Sequence, residues 1–293
     1  MKFITVFTPA YNRAYCLHRV YESLIKQTNQ NFVWLIVDDG STDNTKALVQ
    51  QWVQERKLDI RYIYKANGGM HTAHNTAYKN IDTELNVCID SDDFMPINAI
   101  QSIKDNWLKV KNNDSIAGLV GLDESIDGDL IGSRFKKEHE AISLSNFYNR
   151  QGGAGDKKLV LRTALTKAYP CYPEFPEERL VPLGTLYTLL ERDYTFYAVN
   201  EVWAIVDYQQ DGSSATIISQ YFKSPKGFKY CREVNMKYGI SLKVKLRNAV
   251  HYNVSLMILN EFKSILSNKY AYLTIPVLPF SFLLYLYLLY RKI

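Results

Sequence analysis

The chain has few cysteines and no apolar leader of useful length. Its four cysteines, in 293 residues, are widely spaced and form no CxxC pair, so the sequence indicates neither a disulfide framework nor a zinc site. A reducing compartment is therefore expected. The apolar stretch before Pro9 is too short for a signal peptide, and we interpret it as a first strand.

Several nucleotide-binding and catalytic motifs are also missing. The segment after the predicted first strand is T-P-A-Y-N-R, residues 8–13, instead of the GxGxxG fingerprint of a dinucleotide enzyme. The chain carries no Walker lysine loop and no G-x-S-x-G elbow. The same segment lacks the Gly- and Arg-rich phosphate loop expected of a sugar-nucleotide nucleotidyltransferase. These absences argue against dehydrogenases, P-loop NTPases, serine hydrolases and nucleotidyltransferases.

What the chain does contain is an alternation of strand and helix patterns. Short apolar runs are followed by helical repeats four times in the first ninety residues, which is typical of a doubly wound, mainly parallel α/β sheet. Further patterns predict a helix near 97–110, a strand at 116–122, a helix near 183–192 and one or two strands through 199–208. Residues 123–165 give no clear pattern. The predicted strands of the first ninety residues are Phe3–Thr8, Phe32–Val37, Ile60–Tyr64 and Val87–Ile89.

Three carboxylates, Asp90, Asp92 and Asp93, follow the fourth predicted strand. In an extended backbone, Asp90 and Asp92 would project from the same side, into the crevice where open α/β sheets bind ligands. Paired carboxylates repel unless a cation lies between them, and such oxygen ligands suit Mg²⁺ or Mn²⁺ together with substrate phosphates. An acidic turn or helix cap without a ligand is the alternative.

Four segments, taken together, resemble the family-2 glycosyltransferases of the A-type fold. In chain order they are FTPAYNR, VDDGSTDNT, NGGMHTAHN and CIDSDD. The resemblance is firm over the first hundred residues and looser to about 215. It implies a nucleotide-diphospho-sugar transferase domain at 1–215, and we expect a basic, hydrophobic helical extension at 216–293.

The resemblance also implies roles for individual residues. Pro9, Tyr11, Arg13 and Asp39 would form the nucleotide pocket, Asp90 would reach the ribose, and Asp92 would bind the metal together with Asp90. Mn²⁺ or Mg²⁺ would then neutralise the departing diphosphate. His74 occupies a position where the family often has arginine, which leaves the diphosphate contact open there. The remaining residues implied for nucleotide-sugar binding are Gly69, Asn75 and Ser91.

An inverting transfer needs a base for the acceptor hydroxyl. The family places an acidic residue about ninety positions after the metal carboxylates, and Glu177 and Glu178 fall in that window, with Glu178 preferred. A helix-start glutamate without catalytic function is the alternative. Asp211 is a weaker candidate for a lid or a diphosphate contact. We interpret His71 and His74 as pocket or helix-face residues and not as half of a zinc site.

The C-terminal part of the chain is strongly basic. Residues 223–293 contain twelve Lys or Arg and two Asp or Glu, a net charge of +10 against −5 for the rest. Residues 270–290 carry no charge, are rich in tyrosine and end at Arg291 and Lys292. This pattern predicts association with an anionic membrane surface, either as a span or as a surface-lying helix pair interrupted by Pro276 and Pro279. A helix that merely covers the body is the alternative.

The sequence therefore predicts a metal-dependent, inverting glycosyltransferase on the cytoplasmic face of the cell membrane. Its partners would be a nucleoside-diphosphate sugar and a lipid-linked or cell-surface glycan acceptor, with no nucleic acid. A nucleotidyltransferase and a non-catalytic membrane adaptor of the same fold are the rival hypotheses.

Overall fold

The structure, a computed structural model, describes residues 2–207 and 217–292. The described chain falls into two units. The first consists of residues 2–171 and 193–207, and the second of residues 172–192 and 217–292. The sequence did not predict that 172–192 would belong with the C-terminal helices. The predicted domain limit at 215, like Asp211, lies outside the described residues.

The first half of the first unit alternates strands and helices, as the sequence predicts. Its strands coincide with the predicted runs to within two residues at most ends, because each apolar run is bounded by polar turn residues. The elements are β1 Ile4–Ala10, α1 His18–Ile25, β2 Phe32–Asp38, α2 Thr45–Glu55, β3 Ile60–Tyr64, α3 Met70–Asn80, β4 Leu85–Cys88, α4 Ala99–Val110 and β5 Ile116–Ser125.

The stretch that gave no clear pattern contains short elements. They are β6 Ala141–Ile142, α5 Leu144–Arg150, β7 Lys157–Arg162 and α6 Thr163–Ala168, and β8 Thr195–Val206 follows the excursion into the second unit. The strands described form one sheet in the order β3-β2-β1-β4-β7-β5-β8-β6. Strands β1 to β4 are parallel, whereas β7 runs antiparallel between β4 and β5. The predicted doubly wound, mainly parallel sheet is confirmed.

The central strands of this unit are buried on both faces of the sheet. Every residue of β1 and β2 is buried, which is the behaviour expected of parallel strands between two helical layers. On one side, Tyr21 of α1 stacks on Trp52 of α2 with ring centroids 4.3 Å apart, and Trp34 of β2 lies next to both rings. The two helices are thereby fixed over the strands whose ends carry the polar loops.

The second unit is helical. Its elements are α7 Gly184–Leu190, α8 Ile217–Lys223, α9 Pro225–Tyr238, α10 Leu242–Ile258, α11 Phe262–Ser267, α12 Ala271–Thr274 and α13 Leu278–Lys292. As the prolines predict, the apolar tail is interrupted, with Pro276 between α12 and α13 and Pro279 in the first turn of α13, where proline is tolerated. Within 2–207 and 217–292, no helix combines the length and the apolar character needed to cross a bilayer.

Candidate active site

The loops that follow β1 and β2 are locked together by side-chain hydrogen bonds. Asn12, which has a left-handed backbone with φ of 54°, donates its N–H to Ser41 Oγ at 2.9 Å, and its Oδ1 accepts from the N–H of Thr42 at 2.8 Å. The N–H of Arg13 donates to Thr45 Oγ1 at 3.2 Å. The FTPAYNR and VDDGSTDNT motifs are therefore joined into one structural feature at the carboxyl ends of the neighbouring parallel strands β1 and β2.

Asp39 organises the loop after β3. Its Oδ1 accepts from Lys65 Nζ at 2.5 Å and from the N–H of Gly68 at 3.0 Å. Its Oδ2 accepts from the N–H of Gly69 at 2.7 Å and from the side-chain amide of Asn67 at 3.2 Å. The residue is only 3% exposed, so these partners compensate the desolvation of a buried charge. The carboxylate predicted to meet the nucleotide thus also fixes the Gly68–Gly69 backbone.

Gly40 and Gly69 permit this close packing of loops. Gly69 has φ of 93° and directly precedes α3. Gly40 has φ of 88°, and a Cβ there would lie 2.7 Å from the backbone nitrogen of Asn67. Neither conformation suits an L side chain, so both positions require glycine.

The acidic segment is a turn and not an extension of β4. The strand ends at Cys88, and the N–H of Asp93 donates to the carbonyl oxygen of Asp90 at 3.1 Å. The expectation of an extended backbone at Asp90–Asp92 is therefore wrong, because residues 90–93 form a turn. Asp90 and Asp92 are half-buried, Ser91 is buried, and Asp93 is 4% exposed.

The carboxylates of this turn act on one another. Burial raises the pKa of Asp93 to about 8, opposed by the nearby cation of Lys158 and reinforced by the charges of Asp90 and Asp92. Hard carboxylate oxygens at the edge of the turn fit a divalent cation. No group of three or more His, Cys, Asp or Glu residues able to hold a metal occurs in the described parts. The residues fit a magnesium or manganese ion only if phosphate oxygens complete its coordination, which is the usual arrangement for Mg²⁺ with nucleotides.

The turn after β4 lies close to the loop after β1. Both the guanidinium of Arg13 and the carboxylate of Asp92 act electrostatically on the thiol of Cys16, and burial is the main cause that raises the pKa of this thiol. Pro9 is buried within β1, whereas Tyr11 is 48% exposed and Arg13 is half-buried. The structure therefore brings these predicted pocket residues and the acidic turn to one edge of the sheet.

His74 lies in the interior and not on a surface that a ligand reaches. It is 1% exposed, packs edge-to-face on Phe7 with centroids 4.9 Å apart, and has Nδ1 3.2 Å from the hydroxyl of Tyr78. Burial lowers its pKa to about 4, against the opposing charge of Asp90. A contact of 3.6 Å joins its Nε2 to Cys88 Sγ, which in turn contacts Asp90 Oδ1 at 3.7 Å. His74 thus supports the acidic turn from behind, while Asn75 is half-buried.

Two charged residues of this region were missed by the sequence analysis. Lys158, on β7, interacts electrostatically with Asp123, Asp93 and Asp90, which together raise its pKa although burial opposes them. Asp123, on β5, is 2% exposed, and burial raises its pKa as well. Both lie in or beside the stretch without a clear pattern, where only the register of β7 reveals that they approach the acidic turn.

The two predicted base candidates belong to the second unit. Glu178 is 7% exposed, and its carboxylate accepts from the N–H of Lys226 at 3.0 Å and of Gly227 at 2.8 Å. It therefore caps the N-terminus of α9, where the preceding Ser224 provides no side-chain cap. Glu177 is exposed and has a left-handed φ of 67°, a conformation that is rare for this residue type and often found at functional sites. The catalytic role of either remains a prediction.

Comparison with known proteins identifies the family. Residues 5–167 match Glycosyl transferase family 2, which is more than half of the 293-residue chain. The chain belongs to glycosyl transferase family 2. The resemblance inferred from the four motifs is thereby confirmed, and the family-2 match covers the loops after β1, β2, β3 and β4 that form the site.

The curated relatives are longer than this chain. GlyG of Streptococcus pneumoniae is 32% identical over 158 residues, 51% of this chain and 50% of that glycosyltransferase. Chondroitin synthase of Escherichia coli is 31% identical over 169 residues, 58% of this chain and 21% of that protein. The first relatives that it matches are covered over only 15–50% of their lengths.

Solved structures confirm the A-type glycosyltransferase fold. TarS 1–349 of Staphylococcus aureus, in complex with UDP-GlcNAc, superimposes with a TM-score of 0.62 at 18% identity, covering 91% of this chain and 76% of that one. The mannosyltransferase PcManGT of Pyrobaculum calidifontis, in complex with GDP-Man and Mn²⁺, gives a TM-score of 0.56 at 16% identity, covering 99% and 82%. At these identities the likeness establishes the fold.

Proposed function

We propose that this chain is an inverting glycosyltransferase that moves a sugar from a nucleoside-diphosphate sugar to a glycan or lipid-linked acceptor. The observation that carries the proposal is the convergence of the acidic turn after β4 with the interlocked loops after β1 and β2, at the carboxyl ends of parallel strands. Ligands of open α/β sheets bind at this edge. The family membership and the named activities of the relatives support the same conclusion.

The nucleotide is assigned to the side of β1, β2 and β3. Tyr11 offers an exposed aromatic ring for the base, and Arg13 offers a cation for a phosphate or hydroxyl. The glycine pair Gly68–Gly69, held by Asp39, lets the backbone approach the ligand closely. These residues bind and orient the donor, which lowers the entropic cost of reaching the reactive geometry.

The metal is assigned to the turn. Asp92 and Asp90 would hold Mn²⁺ or Mg²⁺ with the donor diphosphate, and a bound ion would supply Lewis-acid stabilisation of the departing nucleoside diphosphate. The buried residues of this region support that function in two ways. His74 and Cys88 hold Asp90 from the interior, and Asp93 fixes the turn through its own backbone N–H.

Deprotonation of the acceptor is assigned to the Glu177–Glu178 pair. Glu177 offers an exposed carboxylate on a constrained backbone, and Glu178 offers a carboxylate whose oxygens already accept two backbone hydrogen bonds. A single displacement with one base inverts the anomeric centre. Separate substitution of the two residues distinguishes them.

The second unit is assigned to the cytoplasmic face of a membrane. Helix α13 leaves one broad apolar face exposed and ends in Arg291 and Lys292. An apolar helix face flanked by cations is suited to the interface of an anionic leaflet. The exposed members of this face, named the α13 apolar face, are Phe280, Phe282, Leu283, Leu286, Tyr287 and Tyr290.

The activity is tested with the full chain and a panel of nucleotide sugars. Metal-dependent release of a nucleoside diphosphate from one donor, with inversion at the anomeric carbon of the product, is the expected result. Release of inorganic diphosphate from a nucleoside triphosphate and a sugar phosphate would indicate a nucleotidyltransferase instead. Failure to bind any nucleoside diphosphate in the presence of Mn²⁺ or Mg²⁺ would contradict both activities and favour an adaptor.

A further inference from the structure

Two adjacent lysines of β7 differ sharply in their partners. The ammonium of Lys157 donates to the carbonyl oxygens of Ile131, Ala154 and Asp156 at 2.9–3.1 Å. The ammonium of Lys158, on a half-buried side chain, makes no hydrogen bond or ion pair with any described residue. An ammonium group has three donors to satisfy, so Lys158 has donors available for a ligand.

Asp123, on β5, has a hydrogen-bond acceptor without a donor. The side chain is 2% exposed, its Oδ1 is buried, and this oxygen has no hydrogen-bond partner in the part of the chain that the structure describes. A buried carboxylate oxygen without a donor is costly, and such groups are rare unless a ligand, ion or water supplies the missing hydrogen bond. The backbone carbonyl oxygen of Asp123 accepts from the N–H of Ile131 at 2.9 Å.

Strand register places these two side chains on the same face of the sheet. Gly121 of β5 is the direct partner of Lys158 on β7, and Asp123 lies two residues further along β5. Residues two apart in a strand project to the same side, as do residues directly opposite each other. The charges of Asp123, Asp93 and Asp90 act on Lys158, in agreement with a position beside the acidic turn.

The order of strands gives the pair its position along a bound donor. The proposed nucleotide residues belong to β1, β2 and β3, the acidic turn follows β4, and Lys158 and Asp123 lie on β7 and β5, on the opposite side of β4. Neighbouring strands are about 4.8 Å apart, so β7 lies one strand spacing and β5 roughly 10 Å beyond β4. A donor that has its base over β1 and β2 and its diphosphate at the turn therefore places its sugar near β7 and β5.

We infer that Lys158 and Asp123 bind the hydroxyl groups of the transferred sugar and thereby select the donor. A sugar hydroxyl is both donor and acceptor, so it can donate to Oδ1 of Asp123 and accept from the ammonium of Lys158. The unpartnered carboxylate oxygen of Asp123 would face the sugar, and a uronic acid would place a second carboxylate against it, so the site selects a neutral sugar. This inference rests on the proposed glycosyl transfer.

The test compares donors with and without their sugar. Affinities of the full chain for UDP, GDP, UDP-glucose, UDP-GlcNAc, UDP-glucuronate and GDP-mannose are measured by calorimetry with Mn²⁺. Variants are Lys158→Met, Lys158→Arg and Asp123→Asn, and the controls are the exposed Lys167→Met and Asp127→Asn. A thermal melt of each variant establishes that it is folded, and Lys158→Met alone suffices if Asp123→Asn does not fold.

The expected result is a selective loss of sugar recognition. Lys158→Met and Asp123→Asn bind the preferred neutral sugar nucleotide about tenfold more weakly than wild type, roughly the effect of losing one hydrogen bond to a charged group. Both variants bind the corresponding nucleoside diphosphate without the sugar within about twofold of wild type. Lys158→Arg recovers part of the loss, and both controls behave as wild type.

Other outcomes overturn the inference. If Lys158→Met weakens the binding of the sugar nucleotide and of the nucleoside diphosphate equally, Lys158 lies at the phosphates or the metal. Unchanged affinity for both ligands would exclude Lys158 from the site. Preferred binding of UDP-glucuronate by the wild type would contradict selection of a neutral sugar. A wild-type chain that binds none of the nucleotides would instead contradict the proposed function itself.

Discussion

A hydrogen bond of 2.7 Å from the backbone N–H of Gly69 to Oδ2 of Asp39 connects the end of β2 to the start of α3. The same carboxylate accepts from Lys65, so one buried charge holds both the glycine turn and the lysine beside it. The position of the Gly68–Gly69 backbone depends on this side chain.

Replacement of Asp39 by Asn is expected to impair folding and binding together. The amide places N–H groups against existing donors and leaves Lys65 without its counter-charge, so the free energy of unfolding should fall by about 3 kcal/mol. Denaturant unfolding and nucleoside-diphosphate affinity measure the two effects. The exposed Asp59→Asn is the control, and an Asp39→Asn protein with wild-type stability would refute this account.

Replacement of Asp92 by Asn is expected to abolish metal-dependent turnover while sparing the fold. Metal-ion catalysis contributes several kcal/mol, so the rate of donor turnover should fall by at least about a hundredfold. The half-buried position of Asp92 keeps the loss of stability small. Turnover is measured across a Mn²⁺ titration, and activity equal to wild type at every concentration would rule out the metal role.

Glu178 has an observed structural role and a predicted catalytic one, and the two are separable. Loss of the α9 cap in Glu178→Ala should lower the free energy of unfolding by about 1–2 kcal/mol. A general base contributes about 10²–10⁴-fold to the rate. Substitution of the base residue by Gln should therefore lower the transfer rate by that factor. If Glu177→Gln lowers the transfer rate and Glu178→Gln lowers only the stability, Glu177 is the base. If Glu178→Gln lowers the transfer rate and Glu177→Gln does not, Glu178 is the base.

Acid should destabilise the second unit through His251. Burial, reinforced by the charges of Arg232 and Arg247, lowers its pKa to about 4, while an unfolded histidine titrates near 6.5. As the pH falls, the unfolded chain takes up this proton before the folded chain does. The contribution of the neutral His251 ring to the free energy of unfolding is therefore fully present above pH 6.5 and is lost as the pH falls toward 4. Tyr221 lies 3.1 Å from Nδ1 of His251 and accepts a hydrogen bond from Arg232, which favours a neutral ring that accepts from the tyrosine.

The expected size of this effect is about 1–2 kcal/mol between pH 7 and pH 5. Unfolding by urea at a series of pH values measures it. His251→Gln should flatten the profile, whereas His18→Gln, a change on the exposed side of α1, should not. A profile that has the same slope in wild type and His251→Gln would show that another group is responsible.

The α13 apolar face should bind the chain to anionic vesicles. Replacing Phe280, Leu283 and Tyr287 by Ser removes a large part of the exposed apolar surface and should reduce co-sedimentation with phosphatidylglycerol-containing vesicles at least tenfold. The same substitutions leave the buried Leu288 in place, so the melting temperature should change little. Unaltered vesicle binding by this variant would count against the membrane assignment.

The sequence predicted the parts of the site that follow parallel strands. Each of the four motifs comes directly after an apolar run, and parallel topology brings such segments to one edge without further information. Lys158 was missed because β7 is antiparallel and begins, not ends, at that edge. Asp123 was missed because it lies inside β5, which extends to Ser125, beyond the predicted run 116–122. The cap formed by Glu178 was not predictable either, because its partners lie 48 and 49 residues away in a different element.

The path of the chain through the two units bears on any attempt to produce the family-2 domain separately. The family match ends at residue 167, yet the sheet gains β8 only after the excursion through 172–192. Truncation at the match boundary would strip β5 of a partner strand along most of its ten residues and leave a long open edge, the kind of surface on which sheets of separate molecules join. A soluble fragment would have to retain Thr195–Val206.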